Sequence, residues 1–350
     1  MPAVHDTGRA NVHPQPVCAR LWARIRQSAG YLLLTLGKTG RGPYRIPPMR
    51  ILFITATRLG DAVLSTGLLA HLIRTYPNAR FTIACGPVAA GLFENLPGLE
   101  RVIVMTKRTH DRHWLDLWKA CVGQKWDLAI DLRGSATTFF LRTRKRLIMR
   151  GGRRPGLRLN HLGQLLRLSP PPMPTVWLSE ADKTLASQII PSDAGPIIAL
   201  GPTANWTGKI WPTERYLPLW AELSRQFPTA RPAVFYGPGE QERALALPVL
   251  QALPNAIDAG GRFSLTQVAA MLARCSLFIG NDSGLMHLAA AAGTPTLGLF
   301  GPSRASEYAP SGRCATWVAA PGPEGEAPIA GLSLNVVVQA ASTLLAETQS

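Results

Sequence analysis

From residue 50 onwards, short continuous apolar runs alternate with stretches in which apolar residues recur every three or four positions. RILFIT (50–55) and RFTIAC (80–85) are runs of the kind that forms strands buried on both faces. Between them Leu64, Leu68, Leu69 and Ile73 fall at helical spacing behind a Gly-containing turn. Strand, helix and strand in that order make a βαβ unit, which requires a parallel sheet. RVIVM (101–105) and WDLAIDLR (126–133) predict two more strands, with a helix over 111–122 between them.

SPPPMPTVWL (169–178) is a Pro-rich break, after which the alternation starts afresh. Strands are predicted in GPIIALGPT (195–203), PAVFYGPGE (232–240), NAIDAGG (255–261) and LFIGNDSG (277–284), with helices over 214–227, 241–252 and 264–274. The pattern predicts an α/β protein with two Rossmann-like, doubly wound domains facing across a cleft, at residues 49–172 and 173–350. Residues 1–48 form an N-terminal extension. Its first 17 residues are polar and aperiodic, a composition expected to be disordered. Over 18–38, Leu21, Trp22, Ile25, Leu32, Leu33 and Leu36 recur among Arg20, Arg24, Arg26 and Lys38. That predicts a basic amphipathic helix, suited either to a membrane surface or to packing on the domain. GRGPYRIPP (40–48) reads as a linker.

Charge sharpens this picture. The 350 residues carry a net charge of +16, but residues 171–350 hold ten Lys/Arg against thirteen acids. Residues 101–170 hold sixteen against four, and 133–167 contain ten basic residues and no acid. One half of the molecule is therefore expected to face an anionic partner. No apolar run approaches the roughly 18–20 residues that cross a bilayer. Five scattered cysteines without Cys-x-x-Cys spacing fit a reducing compartment, and the expectation is a cytoplasmic protein.

In doubly wound sheets ligands sit beyond the carboxyl ends of the strands, so four loops carry the candidate chemistry. In TRLGDAVLS (57–65), Asp61 lies at a helix start. It either caps that helix or stands at the cleft as a carboxylate that takes a proton from a hydroxyl. LGPTANWTGKIWP (200–212) fails the phosphate-loop pattern, since six residues separate Gly201 from Gly208 and Ile210 replaces Ser/Thr. Thr203, Trp206, Lys209 and Trp211 are nevertheless expected to form a polar, cationic lip. FYGPGEQER (235–243) lacks the third glycine of a dinucleotide fingerprint, but Glu240 or Glu242 is placed to accept from a ribose diol or to start the next helix. In GNDSGLMH (280–287), Ser283 and Gly284 leave free amides at a helix start, a site that attracts phosphate. Asp282 is expected to accept from turn amides or a sugar hydroxyl, and His287 is either a core histidine or part of a diphosphate site. His110 and His113, with Asp111 between them, sit in a basic polar stretch and read as surface; no coherent metal set is found.

Three stretches together, RILFITATRLGDAVLSTGLLAHLIRTYP (50–77), GPTANWTGKIWPTERY (201–216) and GNDSGLMHLAAAAGTPTLGLFGPS (280–303), closely resemble glycosyltransferase family 9, the ADP-heptose:lipopolysaccharide heptosyltransferases. The resemblance runs from about residue 49 to 345, in family order and spacing, and leaves the N-terminal extension outside. It implies a GT-B fold with the acceptor on the first domain and the nucleotide sugar on the second. It also implies an inverting transfer without metal or other cofactor. Asp61 then matches the general base and Lys209 the phosphate-binding lysine that assists departure of the diphosphate. Thr203, Asp282, Ser283, Gly284 and His287 match the donor site, with Glu240, or in its place Glu242, on the ribose. Arg58 and Arg133 are assigned to the acceptor. The implied partners are an ADP-heptose-type donor and an anionic glycolipid such as a phosphorylated lipid A core, met by peripheral contact with the cytoplasmic face of the inner membrane. Two other classes stay open. A GT-B nucleotide-sugar epimerase would act on the donor alone. A nucleic-acid-binding protein is prompted by the charge, although no nucleic-acid motif appears.

Overall fold

A computed structural model describes residues 48–150, 152, 154–191 and 195–349; the helix expected over 18–38 lies outside them. The first lobe contains β1 (Arg50–Ile54), α1 (Leu59–Thr75), β2 (Arg80–Cys85), β3 (Leu99–Val104), α2 (Arg112–Cys121), β4 (Lys125–Asp131), β5 (Arg142–Ile148) and α3 (Arg158–Leu165). After α4 (Glu180–Ile189), the second lobe contains β6 (Ile197–Gly201), α5 (Tyr216–Gln226), β7 (Arg231–Val234), α6 (Glu240–Ala252) and β8 (Ile257–Asp258). It continues with α7 (Leu265–Leu272), β9 (Leu277–Asn281), α8 (Gly284–Ala292), β10 (Thr296–Phe300), α9 (Ala305–Tyr308), β11 (Ala315–Ala319) and α10 (Leu334–Gln349).

The strands form two parallel sheets, in the orders β3-β2-β1-β4-β5 and β11-β10-β9-β6-β7-β8. Central strands are apolar at successive positions because both of their faces are covered. In β1, Ile51 and Phe53 join one buried cluster while Leu52 and Ile54 join another on the opposite face. The same division holds in β6, with Ile197 and Ala199 on one side and Ile198 and Leu200 on the other. One cluster holds residues of both lobes, including Phe53 and Leu69 from the first and Phe278 and Met286 from the second. The lobes therefore meet through apolar packing of α1 on α8, reinforced by the first-lobe 3₁₀ turn Pro87–Phe93 on α7.

Two contacts set how closely the lobes approach. A Cβ on Gly60 would stand 2.7 Å from the His287 ring, and one on Gly284 would stand 2.8 Å from Leu59. Further along, Asp182 ties three segments together. Its carboxylate accepts from Asn95 of the first lobe at 2.9 Å, from Ser179 Oγ at 2.7 Å, and from Thr266 of α7 at 3.2 Å. Burial raises this carboxyl, but the hydrogen bonds from Ser179, Thr266 and Asn95 outweigh it and leave the group below its ordinary range.

The strands and helices expected between residues 50 and 284 all appear, with ends shifted by a few residues. Further elements were not expected, α3, α4 and α9 among them. β5 lies inside the basic segment, as Arg-Thr-Arg-Lys-Arg-Leu-Ile at the edge of the first sheet. β11 and α10 complete the second lobe, where α10 packs on α5.

The residues after the Pro-rich break lie against α1, with Thr175 N donating to Thr66 Oγ1 at 2.9 Å. A Cβ on Gly67 would overlap the Pro172 carbonyl oxygen. Gly67→Ala is therefore expected to lower unfolding free energy by about 1–3 kcal/mol, read from the urea midpoint. Gly123→Ala, whose Cβ meets nothing within 4 Å, should cause no loss. Equal midpoints for the two variants would contradict the packing described.

Candidate active site

The turn after β1 carries the first group of candidate residues. Arg58 is the extended residue before α1, and Asp61 is the third residue of that helix. No side chain caps α1, so the capping expectation for Asp61 does not hold. Its carboxylate instead faces Arg158 of α3, with Nε 3.8 Å from Oδ1 and the aspartate side chain 24% exposed. Thr57, Arg58, Asp61, Arg133 and Arg158 line an open cleft of about 260 Å³. Three guanidinium groups therefore surround one carboxylate, a setting for an anionic molecule that presents a hydroxyl.

Arg133 is positioned from below. The buried Asp131 accepts from Arg133 N and Ser135 N, each at 2.8 Å, and from Ser135 Oγ at 2.7 Å. Burial pushes the Asp131 carboxyl up, against the pull of these donors. The Arg133 guanidinium lies over Trp114, 5.4 Å from the ring centroid.

Facing this turn across α1 and α8 is the turn after β9. Asn281 anchors it by accepting from Trp211 N at 3.0 Å and donating to the Gly201 carbonyl at 3.4 Å. Ser283 is the extended residue before α8; its side chain does not cap the helix, and its hydroxyl is buried without a partner. The α8 amides and that hydroxyl form a donor cluster at the positive end of a helix dipole. Asp282 does not fold onto the turn amides as expected. Its Oδ2 takes the Lys209 ammonium at 2.5 Å, bringing together two residues 73 positions apart. The pair explains how a carboxylate 8% exposed is tolerated here: lysine neutralises it.

His287 lies one turn into α8, 4% exposed, with Nε2 4.0 Å from Asp282 Oδ1 and Nδ1 buried without a partner. Burial lowers its pKa; Asp282 and Asp61 oppose this, and Lys209 adds to it. Gly60, the neighbour of Asp61, packs against this ring, which sets the Asp61 turn beside the second-lobe helix start.

The remaining candidates divide. Thr203 is buried at the start of the loop after β6, and Trp206 is exposed. Trp211 leaves the expected lip: it is fully buried, and its indole N–H donates to the Leu332 carbonyl at 3.0 Å. Glu240, the first residue of α6, is exposed, whereas Glu242 turns back and accepts from Gly237 N at 3.3 Å. His110 and Asp111 sit at positive φ in an exposed turn before α2. Two residues the loop-by-loop reading did not name stand at or beside the cleft: Arg158 lines it, and Tyr308 lines the hollow next to it. Arg158 was legible only as one of ten cations. Tyr308, from α9, lies with Arg154, Arg158 and His161 around a neighbouring hollow of about 360 Å³. Burial raises the Tyr308 phenol, and Asp61 raises it further.

Residues 168–328 match the profile of glycosyltransferase family 9 (heptosyltransferase). The chain is similar to lipopolysaccharide heptosyltransferase 2 of Salmonella typhimurium, 27% identical over 296 residues that cover 73% of this chain and 83% of the relative. It is likewise similar to lipooligosaccharide heptosyltransferase 2 of Haemophilus influenzae, 25% identical over 303 residues covering 75% and 86%. In structure it resembles a glycosyl transferase family 9 protein of Veillonella parvula, with TM-score 0.71, 22% identity and coverage of 85% and 98%. It also resembles E. coli ADP-heptose lps heptosyltransferase II, with TM-score 0.69, 21% identity and coverage of 86% and 100%. These structural likenesses identify the fold as GT-B. Taken with the profile match over residues 168–328 and the curated relatives, they make this chain similar to the heptosyltransferases of glycosyltransferase family 9.

Proposed function

We propose that this protein transfers a heptose, or a closely related sugar, from an ADP-sugar to a hydroxyl of an anionic lipopolysaccharide-type acceptor at the cytoplasmic face of the inner membrane. The observation that carries this reading is the placement of Asp61: it lies in an arginine-lined cleft and beside a helix start equipped with a lysine and a buried, unpartnered hydroxyl. One side suits an anionic alcohol and the other a diphosphate.

In a single displacement the acceptor oxygen attacks the anomeric carbon, forming the new C–O bond as the bond to the diphosphate oxygen breaks. Asp61 takes the hydroxyl proton during attack, and because the oxygen enters on the face opposite the departing diphosphate, configuration at that carbon inverts. Negative charge grows on the departing ADP, where Lys209, the amides at 283–284 and the Ser283 hydroxyl are arranged to meet it. Those donors fill the part a divalent cation plays elsewhere, and the transfer is read as metal-independent. Lys209 is held by Asp282 in the structure described, so a diphosphate exchanges one set of anionic oxygens for another around the same ammonium. Arg58, Arg133 and Arg158 orient the acceptor through its anionic groups. Thr203 lines the donor side, and Glu242, folded into the β7–α6 loop, competes with Glu240 for the ribose.

Purified protein given ADP-heptose and a lipid A core acceptor should release ADP, and omission of the acceptor should abolish release. Release of an isomerised donor without acceptor would instead indicate an epimerase. Asp61→Asn is expected to lower turnover by about 10²–10⁴-fold with ADP affinity retained; normal turnover would remove Asp61 from the role of base. Lys209→Ala should lower kcat by about 10²–10³-fold and weaken ADP binding, measured by calorimetry.

His287 gives a pH test of stability. The unfolded chain binds its proton near 6.5, the ordinary histidine value, while burial keeps the folded imidazole neutral to lower pH. Between those values the unfolded state holds more protons, so the contribution is complete above about pH 6.5 and shrinks as pH falls. Urea midpoints should thus drop from about pH 7.5 to about pH 5.5, with a shallower drop in His287→Asn. Parallel slopes would show that His287 does not carry the effect.

A further inference from the structure

Away from the cleft, the flank of the first lobe made by α2, the 3₁₀ turn Thr137–Phe140 and β5 carries features that the reaction does not use. Phe139 and Phe140 are adjacent and 66% and 70% exposed. Exposing two neighbouring phenylalanines in water is unfavourable, and a slack turn would relieve it by collapse. This turn is held. Arg146 donates through Nε to the Thr138 carbonyl at 2.7 Å and through Nη2 to the Leu141 carbonyl at 2.6 Å. Trp118 of α2 donates to the Phe140 carbonyl at 3.1 Å, and Thr137, Thr138 and Leu141 are buried beneath. Three side-chain hydrogen bonds therefore fix the backbone that presents the two rings outward.

The surroundings are cationic. Arg142, Arg144 and Lys145 of β5 are exposed, and strand alternation puts Arg142 and Arg144 on the sheet face of Arg146, where the turn lies. No acid occurs from residue 132 to 179. The acid on the outer face of α2, Asp116, is paired with Arg108 at 2.8 Å. Leu115, 49% exposed, adds aliphatic surface on the same helix. Apolar tips beside unneutralised cations are the chemistry of an anionic lipid interface, where rings enter the headgroup layer and Lys/Arg meet lipid phosphates. Nucleic-acid recognition sets its aromatics along a cationic groove for stacking; here the rings crown an exposed turn packed on α2. The flank also leads to the cleft, since Arg133, which lines the cleft, stacks on Trp114 in the first turn of α2.

We propose that this flank docks the protein on an anionic bilayer, with Phe139 and Phe140 entering the interface and Arg142, Arg144 and Lys145 contacting lipid phosphates. The inference deepens the proposed reaction and rests on it for the purpose of docking, because a lipid-anchored acceptor is met only at a membrane. The test itself contains no substrate. Full-length protein is floated with phosphatidylcholine vesicles, with and without phosphatidylglycerol. Binding is expected only to the anionic vesicles. The double variant Phe139→Ser/Phe140→Ser should lower partition by at least about tenfold at an unchanged melting temperature. Arg142→Gln/Arg144→Gln/Lys145→Gln should weaken binding and flatten its salt dependence. Flotation of the phenylalanine variant equal to wild type, including binding carried wholly by residues 1–47, overturns the proposal. So does equal binding to vesicles without anionic lipid, or displacement from vesicles by a single-stranded oligonucleotide. ADP release with a deacylated, water-soluble acceptor should be the same in wild type and the phenylalanine variant. If wild type releases none, the proposed reaction fails while the flotation result still decides the docking surface.

Discussion

The crossing of α1 and α8 is the constraint on which the site depends. Gly60 leaves room for the His287 ring and Gly284 leaves room for Leu59, so two helices from different lobes touch at their first turns. Both helices begin at the carboxyl end of a central strand, where a doubly wound sheet exposes its loops. Close approach at that point brings the Asp61 turn and the Ser283 turn together. Larger side chains at either glycine would force the turns apart and separate the carboxylate from the helix amides. The shared apolar cluster behind the crossing resists such separation, because opening the lobes exposes buried surface of α1, α7 and α8.

Electrostatics then divides the labour between the lobes. The first lobe surrounds Asp61 with arginines, which favours an anionic molecule without fixing its geometry tightly. The second lobe presents fixed donors: backbone amides, a buried hydroxyl and one lysine held by an internal carboxylate. Burial favours the neutral form of His287, so the seam between the lobes gains no extra cation there. Asp131 and Asn281 have equivalent tasks on opposite sides. Each is a buried side chain that satisfies loop amides and holds the functional turn in shape.

Much of this was legible in the residue order, because strands buried on both faces and helices behind glycine turns leave strong local patterns. Asp61, Lys209, Asp282 and Ser283 stood out as reactive residue types at strand ends. What the pattern did not carry was partnership across the chain. Lys209 and Asp282 were each visible, but their ion pair depends on β6 and β9 being neighbours in the sheet. Trp211 looked like a cleft residue because aromatic and cationic residues adjoin it, yet its ring fills the core and its N–H finds a carbonyl 121 positions away. Arg158 was hidden among like charges, and only the position of α3 beside α1 distinguishes it. β5 escaped notice since neither of its faces is apolar through most of its length.

That last element has a consequence for the molecule in a crowded solution. A parallel sheet ends in a row of unpaired amide and carbonyl groups that can recruit a strand from another chain. On the β5 side of the first sheet, the strand that ends the row bears Arg142, Arg144, Lys145 and Arg146 in succession. A second copy approaching that edge brings the same four charges, so self-association through strand pairing is repelled. The second sheet limits one of its margins differently, ending in a β8 of two residues. Positive charge on the first lobe therefore has a protective role that is independent of any ligand: it keeps one protein molecule from extending the sheet of the next.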